Sequence, residues 1–191
     1  MDIILLCHAA TRAMKTGRFP TGDEPAEYDA RAQVRAQTAR VISGPARVAR
    51  DTAGWIARSY EIIQEFDDID YGRWRGQSIR EVGEREQENM AAWLTDPHAR
   101  PHGGESIAML AARVPEGIAR IVRIQNVVPR DRCIVVTHAI VVKVLVALAI
   151  GKPLSSVYAM NFAPLSSSVL SVEPETGAWT VGLPQTADRT S

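Results

Sequence analysis

Two short, uninterrupted apolar runs, Ile3–Cys7 and Cys133–Thr137, each end directly on a histidine, His8 and His138. An apolar run of this length without alternation is the pattern of a strand buried on both faces, the kind found in parallel sheets covered by helices. In open α/β sheets, ligands bind beyond the carboxyl ends of the strands. If the two runs are neighbouring strands, their ends lie about 4.8 Å apart and the two imidazoles can face one another. Such a pair suits phosphoryl transfer: one neutral imidazole attacks phosphorus and the other donates a hydrogen bond to the phosphoryl oxygens. The competing reading is two unrelated strand-end histidines, each satisfied by local backbone.

Helical periodicity fills the space between the runs. Over 107–122, Ile107, Leu110, Ala111, Val114, Ile118, Ile121 and Val122 share one face, which places Arg113, Glu116, Arg120 and Arg123 mostly toward solvent. Pro115 inside this pattern predicts a kink. Further helices are expected over roughly 29–41 and 46–58. The stretch 139–150 is apolar nearly all round and reads as a buried helix stopped by Gly151. Near the C-terminus, Ser168–Val172 and Trp179–Val181 read as strands around a turn at Glu175-Thr176-Gly177. Strands alternating with helices imply a three-layer α/β/α sandwich with a mostly parallel sheet, formed by one domain over 1–191 with a frayed tail after about 184.

Charge and composition exclude several function classes. The chain carries 22 basic and 22 acidic residues, so neither a nucleic-acid stripe nor a membrane-surface patch is expected. No apolar run approaches the ~20 residues that span a bilayer. The start, Met1-Asp2-Ile3-Ile4-Leu5-Leu6, is acidic and carries too short an apolar run for a signal peptide, which points to a cytoplasmic protein. Cys7 and Cys133 lie in apolar runs and read as two buried thiols, with no metal site implied.

The residues around the histidines resemble the histidine phosphatase superfamily, which includes phosphoglycerate mutases and ribazole-phosphatase-like enzymes. Leu5-Leu6-Cys7-His8-Ala9-Ala10-Thr11 followed by Gly17-Arg18-Phe19 is similar to its opening strand, Arg-His-Gly-x-Thr and Gly-Arg-Phe loop. Gly44-Pro45-Ala46 with Asp51-Thr52-Ala53 resembles its next helix start, and Asp68-Ile69-Asp70-Tyr71-Gly72-Arg73-Trp74-Arg75-Gly76 its acidic segment. Gly103-Gly104-Glu105-Ser106 matches a Gly-Gly-Glu-Ser turn, and Val136-Thr137-His138-Ala139 resembles the second Ser-His-Gly. Five such segments in the right order cover nearly the whole chain and imply a phosphoglycerate mutase-like fold.

The resemblance implies His8 as the phosphorylated nucleophile, His138 as the second phosphate-pocket histidine and Asp68 in the place of the acidic proton donor. Thr11 and Ala139 would then border the phosphate. Glu105 and Ser106, at the opening of the long helix, have capping as their simplest role. No metal or organic cofactor is called for. A small phosphorylated molecule is the expected partner, and a homodimer is left open. The segment from roughly 78 to 102, which would set specificity, carries no readable signal.

Two departures bear on activity. The family places an arginine just before the nucleophile, where this chain has Cys7, and another four residues before the helix Thr-Ala, where it has Val48. Such arginines clamp phosphate by charge-assisted bidentate bonds. Arg12, Arg18 and Arg47 are the candidate substitutes. A cysteine-phosphatase loop is excluded, because Cys7 to Arg12 is one residue short of Cys-x5-Arg. Two functions stay open: a phosphomonoesterase acting through a phosphohistidine, and a catalytically silent protein that binds a ligand or partner in the same pocket.

Overall fold

The computed structural model describes residues 1–127, 133–173 and 176–182. Six strands form one sheet in the order β3-β2-β4-β1-β5-β6: β1 Asp2–Cys7, β2 Arg40–Ser43, β3 Glu61–Ile62, β4 Cys133–Thr137, β5 Ser167–Val172 and β6 Trp179–Gly182. The four strands from β3 to β1 run parallel; β5 is antiparallel to both β1 and β6. The helices are α1 Arg12–Lys15, α2 Arg47–Ile56, α3 Ile79–Arg85, α4 Gln87–Thr95, α5 Ile107–Val127 and α6 Ala139–Ala149. No described helix is long and apolar enough to cross a membrane.

The sheet is covered on both faces. Ile3, Leu5 and Cys7 of β1 join the large core that holds Leu110, Val114, Ile118 and Ile121 of α5 and Val141, Val144 and Leu145 of α6. Ile4 and Leu6 point the other way, toward Ala49, Ala53 and Ile56 of α2. This alternation is the two-residue period of a strand expressed against two helical layers. The expected three-layer arrangement with a mostly parallel sheet is present.

Other expectations meet mixed outcomes. Helix α2 falls within 46–58, and α6 ends before Gly151, whose φ of 64° suits glycine at a helix stop. Helix α5 runs through Pro115 without ending there. The helix expected over 29–41 is absent. Tyr28–Gln33 forms a short 3-10 turn, and Arg40–Ser43 is β2, buried throughout. Its β-branched Val41 and Ile42 gain more from the sheet interior than the Ala/Arg/Gln-rich segment before them gains from a helix. The C-terminal hairpin strands are present; Glu175 of the expected turn and the tail after about 184 lie outside the described residues.

Backbone packing fixes the segment that carries Asp68. Thr137 Oγ1 donates to Phe66 O at 2.7 Å. A Cβ on Gly44 would sit 2.4 Å from that same carbonyl, so only glycine lets β2 end there. The two glycine-bearing motifs also interlock: a Cβ on Gly104 would come 2.0 Å from Asp70 O, where Glu105 N–H donates at 2.8 Å.

Candidate active site

Strands β1 and β4 are direct parallel neighbours with Cys7 opposite Thr137, so His8 and His138 leave the sheet side by side. Their ring centroids are 4.7 Å apart with planes at 73°. His8 Nδ1 lies 2.7 Å from Ala9 O. A ring nitrogen facing a carbonyl at that distance carries the proton, which leaves Nε2 with its lone pair. Burial and the nearby His138 hold the His8 imidazole down to about 4, so it is neutral near pH 7.

His138 is almost fully buried, and its Nδ1 lies 3.3 Å from Asp68 Oδ2. Burial, with a smaller contribution from the Arg113 charge, lowers His138 to about 3. Burial raises Asp68 to about 7, against the opposing pull of His8 and of the Ile69 N–H that bonds Oδ1 at 2.8 Å. Below pH 7 the pair is therefore a carboxylic acid and a neutral imidazole. The acid proton then sits on Asp68, and with Nδ1 turned to that acid the imidazole's single proton belongs on Nε2. That Nε2 is buried with no protein partner among the described residues.

The two histidines and Asp68 line a cavity of about 160 Å³ together with Thr11, Arg18, Glu24, Val48 and Ala139. Its walls are largely apolar, from Met14, Val48, Ala139 and Ile140. Thr11 both borders the cavity and caps α1, accepting from Met14 N–H at 3.2 Å. Of the three candidate clamp arginines only Arg18 reaches the cavity, and its guanidinium also donates to Gly76 O at 2.9 Å. Arg12 is exposed and is not among the lining residues, and Arg47 turns outward to Asp51 at 3.9 Å. A side chain at the second position of α2 faces inward while its neighbour points away, which is why Val48 occupies the wall.

Backbone supplies some of the missing positive potential. The first residues of α6, Ala139 and Ile140, and the second of α2, Val48, all border the cavity. Neither helix has a side-chain cap at its N-terminus. Helix N-termini present N–H groups and the positive end of the macrodipole to an anion.

The helical wheel misplaced one residue. Arg113 turns back onto the Asp68 segment instead of into solvent. It pairs with both carboxylate oxygens of Glu105, at 2.7 and 2.8 Å, and donates to Glu65 O, Asp67 O and Asp68 O. Glu105 thus serves as the anchor for Arg113 as well as opening the helix, while Ser106 caps it by accepting from Met109 N–H. Glu24 was also missed; the signal available was the turn Thr21-Gly22-Asp23-Glu24-Pro25, in which Gly22 takes φ 92°.

Comparison with known proteins decides the family. The model for the histidine phosphatase superfamily (branch 1) matches residues 3–183. The chain belongs to the histidine phosphatase superfamily. Among relatives of this superfamily member, an adenosylcobalamin/alpha-ribazole phosphatase of Escherichia coli is 27% identical, over 83% of each chain. Phosphoserine phosphatase 1 of Hydrogenobacter thermophilus is 28% identical, covering 91% of this chain and 87% of its own. A bifunctional protein of Mycobacterium tuberculosis is 29% identical over 87% of this chain, which spans about half of that relative, 49%. Among solved structures, mycobacterial glucosyl-3-phosphoglycerate phosphatase with VO3 superposes with a TM-score of 0.81 at 20% identity, covering 95% of this chain and 97% of its own.

Proposed function

We propose that this histidine phosphatase superfamily member is a metal-independent phosphomonoesterase acting through a phosphohistidine on a small phosphorylated metabolite. The observation that carries this reading is the triad geometry: a neutral His8 with Nε2 free, beside His138, whose Nδ1 lies 3.3 Å from the raised carboxyl of Asp68. His8 Nε2 attacks phosphorus and the ester P–O bond breaks. The leaving alkoxide takes the Asp68 proton, and His138 Nε2–H holds a phosphoryl oxygen. In the second step the Asp68 carboxylate takes a proton from water, whose oxygen attacks phosphorus and releases His8. Thr11, Arg18 and the first-turn amides of α2 and α6, beginning at Ala139, orient the phosphoryl oxygens. The cavity volume suits a small ester, and several relatives are named as phosphatases of small phosphorylated compounds.

One observation favours a second reading, a catalytically silent binding protein: Val48 fills the wall where the resemblance expects an arginine, and Arg47 faces away. Hydrolysis of p-nitrophenyl phosphate between about pH 4 and pH 8 separates the two. Turnover that disappears in His8→Ala supports the phosphohistidine route. A folded parent with no turnover leaves the binding reading standing.

A further inference from the structure

The cavity contains one charge that phosphate hydrolysis does not need. Glu24 lines it, and both His8 and His138 sense its negative charge. Its carboxylate oxygens accept N–H bonds from Thr21 at 2.7 Å and Gly22 at 3.0 Å. Burial pushes this carboxyl up, but those N–H bonds outweigh burial and hold it below the usual range, so it is ionised at neutral pH. No lysine or arginine among the described residues forms an ion pair with it.

An unpaired carboxylate beside a site for a phosphate dianion repels the ligand unless the ligand brings a positive charge of its own. Among the described residues that line the cavity Arg18 is the one arginine, and the phosphoryl group needs it, so an anionic leaving group would find no second cation there. Met14, Val48, Ala139 and Ile140 give the cavity an apolar wall. That lining fits an alkyl stem. We propose that the cavity takes phosphomonoesters of amino alcohols, with the phosphoryl group at His8, the carbon stem along this wall and the ammonium on Glu24. This rests on the phosphomonoesterase reading and adds a substrate class to it.

Three near-isosteric esters test it: 2-aminoethyl phosphate, ethyl phosphate and 2-phosphoglycolate, titrated calorimetrically at pH 7 into the parent and Glu24→Gln. The parent should bind the aminoethyl ester roughly tenfold tighter than ethyl phosphate, with phosphoglycolate weakest. Glu24→Gln should remove that preference by weakening the aminoethyl ester, and with the repulsion gone it should bind ethyl phosphate and phosphoglycolate at least as tightly as the parent does. Equal binding of the aminoethyl and ethyl esters, binding of none, or a Glu24→Gln loss shared by all three would overturn the proposal; the last would make Glu24 a brace of its turn. Turnover of p-nitrophenyl phosphate by parent and His8→Ala reads the underlying function separately. Turnover without ammonium preference rejects this proposal alone, and ammonium preference without turnover rejects the phosphatase reading alone.

Discussion

Asp68 Oδ2 and His138 Nδ1 face each other at 3.3 Å, in surroundings that favour the neutral form of both. Burial thus keeps the carboxyl protonated to about pH 7, next to an imidazole whose other nitrogen, Nε2, has no protein partner among the described residues.

A bell-shaped rate profile follows. The proposed nucleophile must be neutral, so kcat should rise through about pH 4 with His8 and fall through about pH 7 as Asp68 loses its proton. Asp68→Asn should abolish the alkaline limb and lower kcat on an alkyl phosphate by roughly 10²–10⁴. The loss on p-nitrophenyl phosphate should be smaller, because that leaving group departs without a proton. Equal losses on both esters would remove Asp68 from the role of acid.

The same groups tie stability to pH. Asp68 rises from 3.8 to about 7 on folding, so its contribution is fully present below about pH 4 and is lost as pH rises through about 7. His8 and His138, lowered from 6.5 to about 4 and about 3, contribute stability above 6.5 that is lost as pH falls through those values. Asp68→Asn should therefore be more stable than the parent at pH 8, by on the order of 4 kcal/mol, and equal to it near pH 4. Urea melts at the two pH values check this, and a gain that is the same at both would contradict it.

Arg113 should prove a structural brace of the acid-bearing segment. Arg113→Met leaves the nearly buried Glu105 without its cation and three backbone carbonyls without a donor. Breaking such a pair costs roughly 3–5 kcal/mol. Adding Glu105→Leu should recover part of that loss in a double-mutant cycle of denaturant melts. A cost below about 1 kcal/mol for Arg113→Met would show that the segment holds itself.

Restoring positive charge should succeed at one position and fail at the other. Val48→Arg places a guanidinium from the first turn of α2 at the cavity wall, and phosphate or vanadate affinity should rise about tenfold or more. Cys7 is buried on the side of the sheet where Lys143 of α6 senses it, and its thiol is pushed up to about 11 by burial. Cys7→Arg would bring a second cation toward that lysine in a closed core, so it should lower the melting temperature without matching the gain in affinity. Calorimetric titration and a thermal melt of each variant decide between these outcomes.

The histidine pair was legible because it needs only strand burial and the rule about strand ends; both runs are unbroken apolar stretches, and both became central strands. Asp68 was legible through the ordered motifs alone, since an acid among Glu65, Asp67 and Asp70 carries no periodic signal. Strand β2 escaped because only Val41 and Ile42 of its four buried residues are apolar, too short a run to read as a buried strand. Arg113 escaped because a helical wheel assigns a face to Cα and Cβ, whereas a long guanidinium reaches around it. The turn that carries Glu24 is set by backbone bonds that no spacing rule encodes.

Strand β4 lies between β1 and β2, although the chain makes it after both. During synthesis the two earlier strands cannot reach their final spacing until the third slides in between them. That one insertion completes the hydrogen bonding of the sheet's middle and delivers His138 to His8. Until then β1 and β2 present bare edges, the hazard of non-local parallel pairing. Catalytic competence and structural completion thus arrive together, and a nascent chain halted before Cys133 would lack both.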